Sequence, residues 1–251
     1  MPNSVQRFSN RVANYVKYRP GYPAGVLKLF REEMGLRPDS VIADVGSGTG
    51  ISSRLFLENG NAVYGVEPNA AMRAAAEEFL KDYPNFLSIN GTAEETGLPT
   101  ASIDIVVAAQ AFHWFDASKT REAFWRVLKP GGYIALLWNE RQLDSNAFLC
   151  EYEKFLLNFA NDYEKVRHEN MTEEVLKDFF GQPFCKQTFG NIQVLDFGGL
   201  KGRMLSSSYM PAEGDPRFAE MVDELWTLFA KHSENGKIEV LYDTNVFFTQ
   251  V

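Results

Sequence analysis

Three glycines at alternate positions, Gly46, Gly48 and Gly50, follow directly on the apolar run "VIADV" in the stretch "DVGSGTG". A strand that ends in such a loop and continues as a helix turns free main-chain N–H groups toward a crevice, and glycine lets a ligand touch that backbone. One helix and one strand further on, "AVYGVE" ends in Glu67, with Pro68 behind it. A carboxylate at that strand end can accept hydrogen bonds from both hydroxyls of a ribose. Glycine clusters and single acids are weak signals alone; in this order they indicate an adenosine-containing cofactor.

The spacing separates two such cofactors. A dinucleotide lays its pyrophosphate on the helix N-terminus, and its pattern is G-x-G-x-x-G. Here the pattern is G-x-G-x-G, and Ile51 stands where the third glycine would be. Asp44, at the end of the first strand, suits a cationic amino-acid moiety better than a pyrophosphate, by Coulomb sign. S-adenosylmethionine, with its ammonium and sulfonium, fits that sign, whereas a nicotinamide oxidoreductase fits neither feature.

The set "VIADVGSGTG", "VYGVE", "GTAEETGLP", "IDIVVAAQAFHWF" and "LKPGGYIALLW" resembles the class I S-adenosylmethionine-dependent methyltransferases, from about Val41 to Asn139. The flanking "FSNRVANYVKYRPGYP" and "SSSYMP" are similar to a small-molecule subgroup related to trans-aconitate methyltransferase. The resemblance implies a doubly wound α/β fold: a mostly parallel, seven-stranded Rossmann-like sheet with helices on both faces, and a helical insertion or lid near the C-terminal end. It gives the three glycines the methionine and ribose part of the cofactor, and Glu67 the ribose hydroxyls. In "GTAEE" it gives Ala93 an N–H to the adenine, with Thr92 or Glu94 near the exocyclic amine; the family more often carries an acid where Thr92 stands. Gln110 falls beside the methionyl group. In "YVKYRP", Arg19 is a candidate partner for the cofactor's carboxylate, with Tyr15 or Tyr18 closing over it; bidentate pairing suits arginine to that task.

Methyl transfer asks an enzyme to align its reactants and exclude water, and needs no metal. "QAFHWFD" begins where the fourth strand reaches the crevice and brings Phe112, His113 and Trp114 to its edge. Aromatic faces stabilise a sulfonium, and aromatic side chains also simply pack a lid. His113 is either a general base or a pocket-shaping residue; a carboxylate acceptor, already ionised at neutral pH, needs no base. A carboxylate acceptor calls instead for a cationic clamp, with Arg203 in "LKGRMLSSSYM" or Arg141 in "NERQL" as candidates and Tyr209 nearby. His168 and His232 fall on expected helices and read as surface or packing residues.

The elements that must hold these residues alternate regularly. After two N-terminal helices broken by "RPGYP", short apolar runs and helical segments alternate from Val41 to Asn139, which implies parallel strands joined by crossover helices. "KPGG" reads as a turn before the strand "YIALLWN". Residues 143–180 read as two helices packed over the sheet's edge, "FCKQTF" and "IQVLDF" as strand material, and "KIEVLYDTNVFFTQV" as a terminal β-segment. The 251 residues are expected to form one domain: a helical cap (1–40), a cofactor-binding core (41–139), and an insertion, lid and terminal strands (140–251).

Composition narrows the partners. A formal net charge of −8 gives no field to draw in a phosphate backbone, so a small-molecule acceptor is expected rather than nucleic acid. An RNA or protein acceptor and a catalytically silent cofactor-binding protein are the competing readings. The two cysteines form no metal motif, the N-terminus lacks a signal peptide's apolar core, and no apolar run is long enough to span a bilayer. A cytoplasmic protein without membrane or metal is the expectation.

Overall fold

The computed structural model describes residues 12–161 and 172–251. At its centre lies a seven-stranded sheet in the order β3-β2-β1-β4-β5-β7-β6. The strands are β1 Val41–Val45, β2 Ala62–Val66, β3 Phe86–Ile89, β4 Ile103–Ala109, β5 Leu128–Arg141, β6 Cys185–Leu195 and β7 Ile238–Gln250. β1 to β5 pair in parallel, and β7 runs antiparallel between β5 and β6. The chain builds outward through β2 and β3, then returns to place β4 on the other side of β1. Such a reversal opens a crevice at the carboxyl ends of β1 and β4.

The helices are α1 Val12–Tyr18, α2 Ala24–Glu33, α3 Ile51–Leu57, α4 Ala70–Phe79, α5 Ala117–Val127, α6 Ala147–Phe159, α7 Glu173–Phe180, α8 Phe197–Leu205 and α9 Phe218–His232. Five of them start on a polar cap: Asn69, Asp116, Asn146, Thr172 and Asp196 each accept a hydrogen bond from a first-turn amide. Those side chains satisfy donors that the helix leaves open and fix where each helix begins.

Both faces of the sheet are covered, which is why its central strands are apolar on both sides. On one face Phe124 and Val127 of α5 and Phe179 and Phe180 of α7 pack on Val106, Leu136 and Trp138. On the other, Phe30 of α2 and Phe56 of α3 pack on Ile42, Val63 and Ile105. A third apolar cluster joins α6, α8 and α9 to Val240 and Tyr242 at the start of β7. Among the described residues no helix is long and apolar enough to cross a membrane.

Three local expectations change. "KPGG" is not a turn ahead of a strand but lies within β5, where the pairing jumps from Ile103↔Leu128 to Ile105↔Tyr133. Gly131, at φ +77°, absorbs the extra residues, and Lys129 Nζ ties the bulge to Asp104 at 2.8 Å. The two pieces read as strand material around Gly190 form one continuous β6, because Gly190 and Asn191 keep register with Asp243 and Tyr242. The end of "IQVLDF" leaves that strand, since Asp196 caps α8. The two helices of 143–180 also part company: α7 joins the core under the main sheet, and α6 joins the third cluster. His168 and the start of the expected first helix lie outside the described residues.

Candidate active site

The loop after β1 is stitched to the end of β2. Gly46 and Ser47 donate their N–H groups to Val66 O, at 2.8 and 3.2 Å. The three glycines then do different work. Gly46 (φ +70°) has no room for a Cβ, which would lie 2.5 Å from the Ala111 Cβ, and Gly50 (φ +85°) would press on Leu80 at 2.6 Å. Gly48 (φ +54°) faces open space, with no atom within 4 Å of an added Cβ. Gly46 and Gly50 thus serve close packing within the protein, and Gly48 is the position where a ligand can meet bare backbone.

Glu67, at the end of β2, reaches back to this loop. Its carboxylate accepts the N–H of Gly48 at 3.0 Å and of Asn69 at 2.8 Å. Burial pushes its pKa up, against the pull of those two bonds. Asp44 is fully buried beneath the loop: Oδ2 accepts from the hydroxyls of Ser52 and Ser53, each at 2.6 Å, while Oδ1 has no hydrogen-bond partner among the described residues. Desolvation raises its pKa, and the serine bonds oppose the rise.

A cavity of about 1610 Å³ opens at these strand ends. Gly46, Gly48, Glu67, Pro68 and Gln110 line one part of it, and Tyr15, Arg19, Trp114, Arg203 and Tyr209 line others. Gln110 holds a left-handed backbone (φ +57°), costly for a side-chain-bearing residue. Its N–H donates to Leu137 O at 2.9 Å, and Nε2 to Asn139 O at 3.2 Å, so β5 holds it in that shape.

Other expected residues stand elsewhere. Tyr18 packs on α8, where a Cβ on Gly202 would strike its ring. Ala93 is buried, Thr92 closes a turn with Glu95, and the Glu94 carboxylate accepts the Asp116 N–H at 2.9 Å. These three residues are not among those lining the cavity. Phe112 is a core residue, 4.3 Å from the Phe179 ring between centroids, and belongs to the packing behind the wall. His113 sits in a short 3-10 turn, Phe112–Trp114, with its ring 4.9 Å from that of Trp114, and it too is absent from the lining.

The cavity is roofed by the N-terminal segment, tied down mainly through Asn139. Asn139 Nδ2 donates to Gly21 O at 3.1 Å, and its Oδ1 accepts from Asn191 Nδ2 at 3.2 Å and from the Thr244 hydroxyl. Asn191 also donates to Gly21 O at 2.9 Å, and Gln193 donates to Tyr18 O at 2.8 Å. Sequence reasoning passed over Asn139, although a polar residue closing the apolar strand "YIALLWN" is the same signal that marks Glu67 and Gln110. It also passed over Phe184 and Phe247, which line the cavity and carry no mark in the sequence that separates them from ordinary strand residues.

The cations differ in how they are held. Arg141 is paired with the carboxylate of Glu153, both side chains nearly buried, and lies over the Tyr152 ring. Among the described residues, Arg19 and Arg203 have no carboxylate partner. Arg19 Nη2 donates to Ser206 O at 3.1 Å, its Nε is buried without a partner, and the guanidinium rests 4.7 Å from the Tyr15 ring centre. Among the described residues, Arg203 donates to neutral oxygens, those of Tyr242 and Ser207, both at 3.2 Å. Burial and the nearby Arg203 lower the Arg19 pKa. Both arginines are partly buried and line one cavity, where each lowers the cost of an anion beside it. Among the described residues, no group of three or more His, Cys, Asp or Glu side chains could hold a metal.

A family profile described as a methyltransferase domain matches residues 43–136. An uncharacterised methyltransferase of Schizosaccharomyces pombe is 30% identical over 227 residues, covering 87% of this chain and 86% of the relative. A methyltransferase-like protein of the same yeast is 26% identical over 251 residues, covering 98% of this chain and 96% of its own length. The fold is similar to that of a protein of Anaeromyxobacter dehalogenans assigned as a type II methyltransferase, with a TM-score of 0.66 at 23% identity, covering 93% and 98% of the two chains.

Proposed function

The chain belongs to the class I S-adenosylmethionine-dependent methyltransferases, and we propose that it methylates the carboxylate of a small-molecule acid enclosed in this cavity. The cofactor fits the residues present: Gly48 offers bare backbone, Glu67 an acid at the strand end, and Asp44 Oδ1 an unused buried acceptor beneath the loop. In this reading the loop 46–50 carries the methionine and ribose part, Glu67 turns to the ribose hydroxyls, and Arg19 takes the cofactor's carboxylate. When bound, the cofactor supplies an electrophilic methyl group on a positively charged sulfur.

The observation that carries the acceptor class is the second arginine. With Arg141 neutralised by Glu153 and Arg19 assigned to the cofactor, Arg203 is a partly buried cation whose hydrogen bonds among the described residues go to neutral oxygens. An acceptor carboxylate satisfies it. Such an acceptor is ionised at neutral pH, so the protein's task is to hold it, orient it and exclude water, without a base. The roof anchored on Asn139 supports the exclusion. The net charge of −8 argues against an RNA acceptor. A cytoplasmic setting is part of the proposal; Cys150 and Cys185 as free thiols suit a reducing compartment.

The test is transfer of labelled methyl from S-adenosylmethionine to a panel of acids, amines and phenols, followed by mass spectrometry. Methyl esters are the expected products. Arg203→Met should abolish ester formation while S-adenosylhomocysteine still binds in a calorimeter. Methylation of amines or phenols with no acid turned over would refute the carboxylate acceptor.

A further inference from the structure

We infer that the acceptor is an amphipathic monocarboxylic acid, its carboxylate at Arg203 and an extended apolar or aromatic body lying along the wall formed by Phe184 and Phe247. This rests on the carboxylate reading above and goes on to define the remainder of the molecule.

The cavity is lined by residues from both faces of the sheet, Arg203 on one side and Phe247 on the other, and the two sides differ in chemistry. Successive side chains on a strand point to opposite faces. On β7, Tyr242 points to the side where its hydroxyl meets Arg203, and Phe247 points to the other. There Phe247 joins an aromatic run, its ring 6.2 Å from Phe184 and 5.9 Å from Trp138, with Phe184 5.0 Å from Phe180. Phe184 and Phe247 are only partly buried and line the cavity together with the buried Leu176. Tyr242 and Phe247 are five residue steps apart on the strand, about 17 Å at roughly 3.4 Å per residue. An acid of two or three carbons cannot touch both ends.

The volume allows a long body. One drug-sized ligand occupies a pocket of roughly 300–1,000 Å³, and this cavity is about 1610 Å³. The cofactor therefore leaves room for a second molecule of comparable size.

Charge between the ends selects against a polyacid. Glu140 and Asp243 are cross-strand partners, and both line the cavity. Asn245 Nδ2 donates to Glu140 at 2.8 Å and Gln142 Nε2 to Asp243 at 2.8 Å, so amides fix both carboxylates in place. A second carboxylate on the acceptor would face these two negative charges, whereas a methylene chain or ring passes them without an ionic penalty. Lys186 rests over Phe247, its Nζ 5.2 Å from the ring centre. It is the cross-strand partner of Phe247 and lines the cavity, so the wall carries a cation at the end far from Arg203, beyond the reach of a short diacid's second carboxylate.

The experiment compares decanoate, 4-phenylbutyrate, butyrate and succinate as acceptors for the wild-type protein and for Phe184→Ala and Phe184→Leu. Decanoate or 4-phenylbutyrate should exceed butyrate in kcat/KM by at least tenfold, because each buried methylene adds to binding. Succinate should be the poorest. Phe184→Ala should reduce kcat/KM for the long acids about tenfold with butyrate unchanged, and Phe184→Leu should restore most of it. Unchanged binding of S-adenosylhomocysteine reports that each variant is folded. Succinate or butyrate turned over as well as the long acids would overturn the inference and leave the carboxylate reading standing. Failure of every acid, with the cofactor product bound, would overturn both.

Discussion

The two halves of the cavity are made in different ways. The cofactor half is main-chain work done within one βαβ unit: Gly46 N–H on Val66 O, Gly48 N–H on the Glu67 carboxylate, and glycines that let backbone and neighbours approach. The acceptor half is side-chain work across the whole chain. Arg203 reaches Tyr242 and Ser207, Asn139 and Asn191 meet at Gly21, and Gln193 holds Tyr18. A site made of backbone keeps one ligand chemistry, because the main chain cannot be changed residue by residue. One made of distant side chains can change its ligand by single substitutions while the fold stays the same.

The contrast predicts the largest effect at Gly48. An added Cβ there has no neighbour within 4 Å, so a valine's methyls extend into the space left for the ligand while its backbone stays left-handed. Gly48→Val should weaken S-adenosylhomocysteine binding by on the order of 100-fold in calorimetry, with the melting temperature lowered by only a few degrees. Gly46→Ala should do the reverse: its Cβ would overlap Ala111, so overpacking of about 1–3 kcal/mol falls on stability. If the two variants behaved alike, the division of labour among the glycines would be wrong.

On the acceptor side the matching test is Asn139→Ala. It removes the bonds to Gly21, Asn191 and Thr244 and leaves the Gly21 carbonyl held by Asn191 alone. Net hydrogen bonds of about 1 kcal/mol each suggest a loss of about 2–3 kcal/mol, or roughly 4–12 °C in Tm for a chain of this size. Its signature should be a KM for the acceptor raised about tenfold, with cofactor affinity changed much less. An equal loss of both affinities would mean that the roof belongs to the cofactor half as well.

Asp44 separates stability from binding inside the cofactor half. Burial raises the pKa of its carboxyl above the unfolded value. The folded state therefore binds the proton more readily, and the stability linked to it is present at pH below the unfolded pKa and lost as pH rises through the raised one. Thermal melts of the ligand-free protein should show that decline, and Asp44→Asn should flatten it while costing about tenfold in cofactor affinity. A pH profile of the Asn variant identical to that of the wild type would remove Asp44 as its source; Glu67, also raised, is the remaining candidate.

The same contrast explains what the sequence made legible. Apolar runs of strand length, separated by helical segments, located β1 to β5, and polar residues closing those runs located Glu67 and Gln110. These are local signals, and the cofactor half is local. The bulge in β5 was hidden because "KPGG" has turn composition, and only pairing with β4 shows that the strand continues through it. β6 looked broken at Gly190, yet register with β7 carries it through. α6 and α7 went to different cores for reasons no periodicity reveals, since each has an apolar face and only the tertiary arrangement assigns it a partner. Arg19 and Arg203 could be named as candidates. That Arg141 is neutralised and they are not depends on where Glu153 falls, which is a fact of packing.

The smallest expected effect is at His113. It stands at the right strand end for a base, and histidine is the side chain most often used as one. Its ring, however, packs near Trp114 in a 3-10 turn outside the cavity lining, while Trp114 and Gln110 on either side of it do line the cavity. A base has to reach the proton it removes, and a carboxylate acceptor has none to lose at neutral pH. His113→Gln should therefore leave kcat within about twofold and the pH–rate profile between pH 6 and 8 unshifted, since one base normally contributes 10²–10⁴-fold. A hundredfold loss with an altered acidic limb would mean that the acceptor carries a proton after all. In that event the reactive oxygen or nitrogen belongs to a hydroxyl or an amine, and Arg203 holds some other part of it.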